Sequence, residues 1–411
     1  MNFVSQKKSP KKRVLVLAST FPRWKNDTTP SFILELEKRL GNDFKILILV
    51  PHYKGAKTYQ EMEGIFVHRF LYFFPEKFQK LCYDGGILPN IKKNKFLIVQ
   101  AGTLLFCELI AAIKIIKNNN IQLIHAHWII PQGIIAYILK KIYKIPYIVT
   151  VHGGDIYGLQ NKFLLSMKKV ILENAEKITV VSSAIKSEML YKINPGLPID
   201  VISMGVDSSL FHPHKYNQSI KEKYQINGPF LLFVGRLAEK KGILYLLQAM
   251  PVIIKNFPEI KLFVIGEGTI ESQLRQYVLK AGIGKNIIFA GPLPNQELPE
   301  YYATADIFIG PSIKTKDGDT EGLGLTFIEA SFSGCVAVGT NTGGISDVIK
   351  NNETGFLVPE KNPEKIADVV IHILKNPSLL KEMKKNSRLN TVKKFDWEII
   401  TEKYKQIYLN A

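Results

Sequence analysis

Short aliphatic runs alternate along this chain with longer segments whose apolar positions recur every three or four residues. In the first half the runs are Val14–Ala18, Lys45–Val50, Leu123–Ala126, Tyr147–Val151 and Ile178–Val181. Between them lie the periodic segments Ser31–Leu40, Phe96–Lys117, Gly133–Lys141 and Phe163–Asn174. The runs read as strands covered on both faces, and the periodic segments as amphipathic helices packed over them. The pattern resumes with the runs Phe230–Val234, Lys261–Ile265, Ile287–Phe289, Ile307–Gly310 and Val336–Gly339. These alternate with Ile243–Asn256, Ile270–Ala281, Glu297–Ala303 and Thr326–Ser333. Such alternation predicts βα units and parallel sheets, arranged as two doubly wound α/β halves. The stretch from Tyr53 to Pro89 is less regular and rich in aromatics, with a strand expected within Phe66–Phe74 and a loop at Asp84-Gly85-Gly86.

The division falls in a polar stretch near Phe211–Gly228, flanked by Pro213 and Pro229. The expected organisation is a basic tail (1–12), an N-terminal domain (13–212), a linker (213–228), a C-terminal domain (229–392) and a final helix (393–411). The length of 411 residues agrees with two domains. No G-x-G-x-x-G follows the first strand, so the sheets suit a nucleotide without forming a typical dinucleotide site. Gly266-Glu267-Gly268 follows a strand and is only a weak match.

Charge changes the picture once it is located. The chain carries 54 Lys and Arg against 36 Asp and Glu, a net +18. Residues 1–200 hold 29 basic and 14 acidic side chains, or +15, which leaves +3 for the remainder. An even spread would have meant little, but a basic half points to an anionic partner. Lys7–Arg13, Lys92–Lys95 and Lys140–Lys144 are the densest segments, and none is interleaved with aromatics as in an RNA-binding sheet. An anionic membrane surface is therefore favoured and no nucleic acid is expected. Phe96–Ile116 is long enough for a membrane span, but Gln100, Glu108 and Lys114 interrupt it, so a buried or interfacial helix is expected. Cys82, Cys107 and Cys335 make no metal or redox pattern and suit a reducing compartment. The N-terminus reads as polar and lysine-bearing rather than as a signal peptide.

The densest chemistry is in Glu321-Gly322-Leu323-Gly324-Leu325-Thr326-Phe327-Ile328-Glu329. Two carboxylates bracket a glycine loop that leads into an apolar helix, with Glu321 outside its N-terminus and Glu329 about two turns in. Free amides at a helix start hold phosphate, and the acids accept from sugar hydroxyls. Upstream, Gly235-Arg236 follows the strand Phe230–Val234 and leads to Lys241-Gly242. Arginine offers a planar fork for phosphate oxygens and lysine a point charge. Together these segments resemble the retaining, nucleotide-sugar-dependent glycosyltransferases of family 4, which have the GT-B fold, and the resemblance extends along nearly the whole chain. It implies that Arg236 and Lys241 of a G-R-x(n)-K-G segment grip the donor diphosphate. Glu321 and Glu329 of an E-x7-E element would hold the donor sugar and the ribose. It also implies two facing Rossmann-like domains with the final helix crossing back to the N-terminal domain, where Phe395, Trp397, Tyr404 and Tyr408 would pack it. Gly322, Leu323, Gly324, Leu325, Gly266 and the backbone at Leu293 would complete the donor side.

His152 ends the strand Tyr147–Val151 and enters Gly153-Gly154-Asp155. A matching H-G-x-D segment implies that His152 bonds the donor sugar, with Asp155 on its loop or at the acceptor. His125 and His127 are spaced H-x-H with no third acidic or Cys ligand nearby in sequence, so they are expected to be structural or acceptor-side rather than metal ligands. Relatives carry Gly-Gly where this chain has Asp27-Thr28-Thr29-Pro30-Ser31, which leaves Thr29 as an acceptor-side candidate. Asp347 stands where a Glu is usual and reads as packing or as support behind the site residues. Asp317-Gly318-Asp319 reads as ordering its loop, not as a metal-binding D-x-D.

The expected activity is metal-independent hexosyl transfer, without a cofactor, from a UDP- or GDP-linked sugar to a glycan or lipid-linked acceptor. Cell-surface polysaccharide, lipopolysaccharide or glycoconjugate assembly follows, at the inner face of the cytoplasmic membrane. A GT-B sugar-nucleotide epimerase or hydrolase, or a non-catalytic basic scaffold, would share parts of this pattern.

Overall fold

The computed structural model describes residues 11–411 apart from Asp84 and Leu159. Most of the expected basic tail, and Asp84 of the glycine loop, lie outside the described residues.

The N-terminal sheet contains β1 Arg13–Leu17, β2 Lys45–Pro51, β3 Tyr59–Met62, β4 Ile65–Phe70, β5 Leu123–His127, β6 Tyr147–Val151, β7 Lys177–Val180 and β8 Ile199–Val201. Its order is β3-β4-β2-β1-β5-β6-β7-β8, parallel except for the β3–β4 hairpin. The C-terminal sheet contains β9 Phe230–Val234, β10 Lys261–Ile265, β11 Ile287–Gly291, β12 Ile307–Gly310, β13 Val336–Thr340 and β14 Gly355–Val358, in the order β11-β10-β9-β12-β13-β14. Its ladders are all parallel. The central strands are buried along their length because helices cover both faces, which is why they read as unbroken apolar runs. Strand order reverses between β1 and β5 and between β9 and β12, and ligands of such sheets bind beyond the strand ends at these points.

Helices follow the predicted segments within a residue or two. The expected linker is instead ordered structure: Gln218–Lys223 is helical, Ile220 is buried, and Asn217 bonds Thr304 and Glu300 of the C-terminal domain. Pro377–Phe395 is followed by Trp397–Asn410, which crosses back as expected. Tyr404 and Tyr408 are fully buried there, and Tyr408 packs edge-on to Phe44.

The long apolar segment is the helix Ile98–Asn119, and it lies against the N-terminal sheet by one face. That face carries Gln100, Leu104, Glu108, Ala112 and Ile115. Among the described residues it is the one helix long and apolar enough to cross a membrane. Glu108 is fully buried beside Gln132, and burial pushes its carboxyl up to about 8. An acid whose folded pKa is raised stabilises the fold in its protonated form, so that stability is present below the unfolded value and lost as pH rises through 8. Glu108→Gln is expected to match wild type at pH 4 and to exceed it by up to roughly 4 kcal/mol at pH 9, measured by urea unfolding at both pH values.

Candidate active site

The strand ends of the two sheets face one another, and the candidate residues sit on the loops that leave them. On the C-terminal side β9 ends in Gly235, whose φ of +154° turns the chain into Arg236. Gly266 leaves β10 so close to this turn that a Cβ there would lie 2.0 Å from the Gly235 carbonyl. Its glycine is therefore required by backbone packing. The Lys241 ammonium lies 2.5 Å from Glu321 Oε2, and both side chains are largely buried. Burial alone would raise the Glu321 carboxyl, but Lys241, with Lys240 and Arg236 behind it, holds it below the usual carboxylate range. Lys240 is an ion-pair partner of Asp319 at 3.2 Å rather than a free surface cation.

The helix of the paired acids begins at Leu325, with Gly324 in the left-handed region as its cap (φ +86°). Glu329 is therefore just over one turn in, not two. Tyr302 donates to Glu329 Oε2 at 2.9 Å. Burial raises the Glu329 carboxyl to about 7, against the Tyr302 bond and the charge of Lys241. Two carboxylates on one element thus have separate characters, one ionised by cations and one poised near neutrality. Leu323 is buried beneath the loop, while Leu325 and Leu293 are half-buried.

Gly322 serves the domain interface. A Cβ there would lie 2.4 Å from the His152 carbonyl oxygen, and Gly153 packs on the Gly322 backbone. The Gly322–Gly324 loop and the His152–Gly154 loop therefore touch directly. Further contacts bridge the domains: Arg236 Nη1 donates to the Gly85 carbonyl (2.9 Å), Lys92 pairs with Asp317 (2.6 Å), and Gln296 donates to Asn26 (2.8 Å). The Ser183 amide donates to Asp347, which thereby ties the two domains.

On the N-terminal side His152 is half-buried between Trp128 (ring centroids 4.8 Å) and Phe32 (5.1 Å). Burial, then the neighbouring His127 and His125, lower its pKa well below that of a free imidazole, so it is neutral. Two acceptor-side expectations are corrected. His127 is fully buried and is hydrogen-bonded to His152, through Nδ1 to Nε2 at 3.0 Å. Asp155 is buried and accepts from the amides of Ile129 (2.7 Å) and Gly153 (3.2 Å), so it pins the His152 loop instead of meeting an acceptor. Thr29 is half-buried, with its amide bonded to Asp27. Asp27 organises this loop through Arg23, at 2.7 Å.

Sequence reading missed several neighbours. Glu37 falls on the buried stripe of the helix Phe32–Leu40, with Ile33, Leu36 and Leu40, and a charged residue in an apolar stripe was the available signal. It lies with His125 and His127 so that their ligand atoms are within 4.8 Å of one another, supplying the third acidic group that spacing along the chain hid. Both ring nitrogens of His125 are bonded, to Tyr408 and Thr150 at 2.7 Å each, so these residues form a hydrogen-bonded cluster as they stand. Tyr302, Trp128 and Gly85 carried no signal, since each owes its place to the fold.

Residues 31–210 match the family model described as glycosyltransferase family 4, and residues 217–390 that of glycosyl transferases group 1. This chain belongs to the family 4 glycosyltransferases. An uncharacterised glycosyltransferase of Methanocaldococcus jannaschii is 27% identical over 72% of this chain and 76% of its own length. The N-acetyl-alpha-D-glucosaminyl L-malate synthase of Bacillus anthracis is 26% identical over 72% and 77%. A GDP-mannose-dependent phosphatidylinositol monomannoside mannosyltransferase of Mycobacterium tuberculosis is 27% identical over 55% of this chain and 60% of its own length. Sucrose-phosphate synthase from Thermosynechococcus elongatus superposes with a TM-score of 0.79 at 19% identity, covering 97% of this chain and 98% of that one. Anabaena HepE in complex with UDP gives 0.74 at 16%, covering 97% and 100%. At these identities the likeness shows the GT-B fold of the family 4 chain.

Proposed function

We propose that this enzyme transfers a hexose from a UDP- or GDP-linked donor to a glycan or lipid-linked acceptor, with retention and without a metal. The observation that carries this reading is the cluster of Arg236, Lys241, Glu321 and Glu329 at one strand-end face, against the loop of His152 on the other. Arg236 and Lys241 take the diphosphate, Glu329 accepts from the ribose, and Glu321 and His152 hold hydroxyls of the sugar. As the anomeric bond breaks, the charge that develops on the leaving diphosphate is met by Arg236, Lys241 and the first amides of the Leu325 helix. The acceptor hydroxyl then adds on the same face and gives its proton to the departing phosphate. The two cations supply the charge that a divalent ion provides in metal-dependent transferases. HepE was solved with UDP, and the mycobacterial relative uses GDP-mannose, so both bases belong in the test.

The test is a thermal-shift panel of UDP, GDP, ADP and their sugars on wild type and Arg236→Ala. A ligand of the folded state at a hundredfold excess over its Kd adds about 2.7 kcal/mol. A shift with one base, lost in the variant, supports the donor site and names the nucleotide. A well-folded sample that responds to none rejects it.

The acceptor side is expected to meet an anionic membrane. Outward on the helix Ile98–Asn119 are Ile98, Val99, Phe106 (65% exposed) and Ile110, with Phe96 (85%) just before it. Exposed Lys92, Lys93, Lys95, Lys114 and Lys117 flank this stripe. Apolar side chains beside cations suit a headgroup boundary, where each lysine contributes about 1 kcal/mol. The double variant Phe96→Asp/Phe106→Asp is expected to lose at least tenfold in partitioning to anionic vesicles at low salt, with donor binding retained. Equal partitioning of variant and wild type would exclude this face.

A further inference from the structure

The cluster behind His152 has a direction. Glu37, on the helix Phe32–Leu40, is fully buried, and its carboxylate accepts from the Tyr408 hydroxyl at 3.0 and 3.2 Å. Having donated there, Tyr408 can only accept from His125 Nδ1 at 2.7 Å, so His125 carries its hydrogen on Nδ1. His125 Nε2 then accepts from Thr150 at 2.7 Å. His127 Nε2 is buried with no hydrogen-bond partner and stands 3.7 Å from Glu37 Oε1, the oxygen that His125 Nδ1 also approaches at 3.4 Å. A hydrogen on that nitrogen is attracted by the carboxylate, whereas a bare lone pair would be repelled. With both rings neutral, His127 Nδ1 must then accept, and its partner at 3.0 Å is His152 Nε2.

We propose that Glu37 is a positioning residue: through His127 it fixes the hydrogen of His152 on Nε2 and leaves His152 Nδ1 as an acceptor. A sugar hydroxyl that meets Nδ1 must therefore donate its hydrogen to the ring. The opposite tautomer would ask that hydroxyl to accept. The role of His152 at the sugar rests on the proposed function, but the tautomer does not.

The test is long-range 1H–15N correlation spectroscopy of the full chain with 15N-labelled histidine, assigned by single His replacements, together with steady-state kinetics of Glu37→Gln. An amide at position 37 can donate as well as accept, so it no longer selects one tautomer. Wild type is expected to show His127 and His152 both carrying hydrogen on Nε2 from pH 6 to 8. In Glu37→Gln, His127 becomes a mixture and kcat falls about tenfold with a smaller change in donor KM, since the proposed diphosphate and ribose contacts, Arg236, Lys241 and Glu329, lie on the other domain. A wild-type His127 with its hydrogen on Nδ1, or with Nε2 carrying none, overturns the proposal. So does a Glu37→Gln protein with unchanged tautomer and unchanged kcat. If Glu37→Gln does not fold, the wild-type spectrum still decides, because it needs neither a variant nor a substrate. A chain that shows the expected tautomers but transfers no sugar would instead sink the proposed function.

Discussion

Glu321→Gln is expected to lower kcat by roughly 10²–10³-fold without weakening the donor KM. The amide keeps the shape and the hydroxyl contacts of the side chain, so the loop is retained. What disappears is the negative charge 2.5 Å from the Lys241 ammonium. In the resting enzyme that charge holds the ammonium in place and partly neutralises it. An uncompensated Lys241 then grips the ground-state diphosphate at least as tightly as before. That is uniform binding, which does not accelerate the chemical step. In the proposed reaction this carboxylate also faces a sugar carbon that becomes electron-poor, so its loss is expected to act in the transition state. Steady-state kinetics with a defined donor separates the two parameters, and an unchanged kcat would remove Glu321 from the chemistry. Lys241→Met should instead raise the donor KM, and the double variant should lose less than the sum of the single effects, because the two groups act as a pair.

The second large effect is expected from Gly322→Ala. The added methyl group would stand 2.4 Å from the His152 carbonyl, a backbone atom that cannot step aside as a flexible side chain would. Overpacking of this kind costs about 1–3 kcal/mol. Here the strain is relieved by parting the domains, so it is drawn from the closed form rather than from either fold. A bias of that size moves an open–closed equilibrium by roughly ten- to a hundredfold. Turnover is expected to fall by that factor with the thermal midpoint nearly unchanged, and small-angle scattering should show a larger radius of gyration. Normal turnover, or a collapse in thermal stability, would each contradict a role confined to closure.

Most of the architecture was legible in the sequence because parallel strands covered on both faces must be continuous apolar runs. Phe230–Val234 and Tyr147–Val151 were read to the residue. Edge strands were harder: Tyr59–Met62 and Ile199–Val201 are half-exposed and mixed in character, so no periodicity marks them. In the site, Arg236 and His152, beside a glycine at a strand end, and Glu321, beside the glycine loop that opens the Leu325 helix, were visible as candidates. Long-range neighbours were not. Glu37 and Tyr408 are 371 positions apart and share a hydrogen bond. Spacing left His127 between a structural and an acceptor-side place and Asp155 between its own loop and the acceptor, and only the burial of both side chains separates these alternatives.

The returning helix Trp397–Asn410 also sets an order of events during synthesis. Tyr404 and Tyr408 fill the inner face of the N-terminal sheet and complete the bonds of Glu37, His125 and Thr150. Yet they leave the ribosome only after the whole C-terminal domain. Domains generally mature in the order in which they are made. Here the first domain stays unfinished until the second has been made, so the buried cluster of Glu37, His125 and Thr150 behind His152 is completed last.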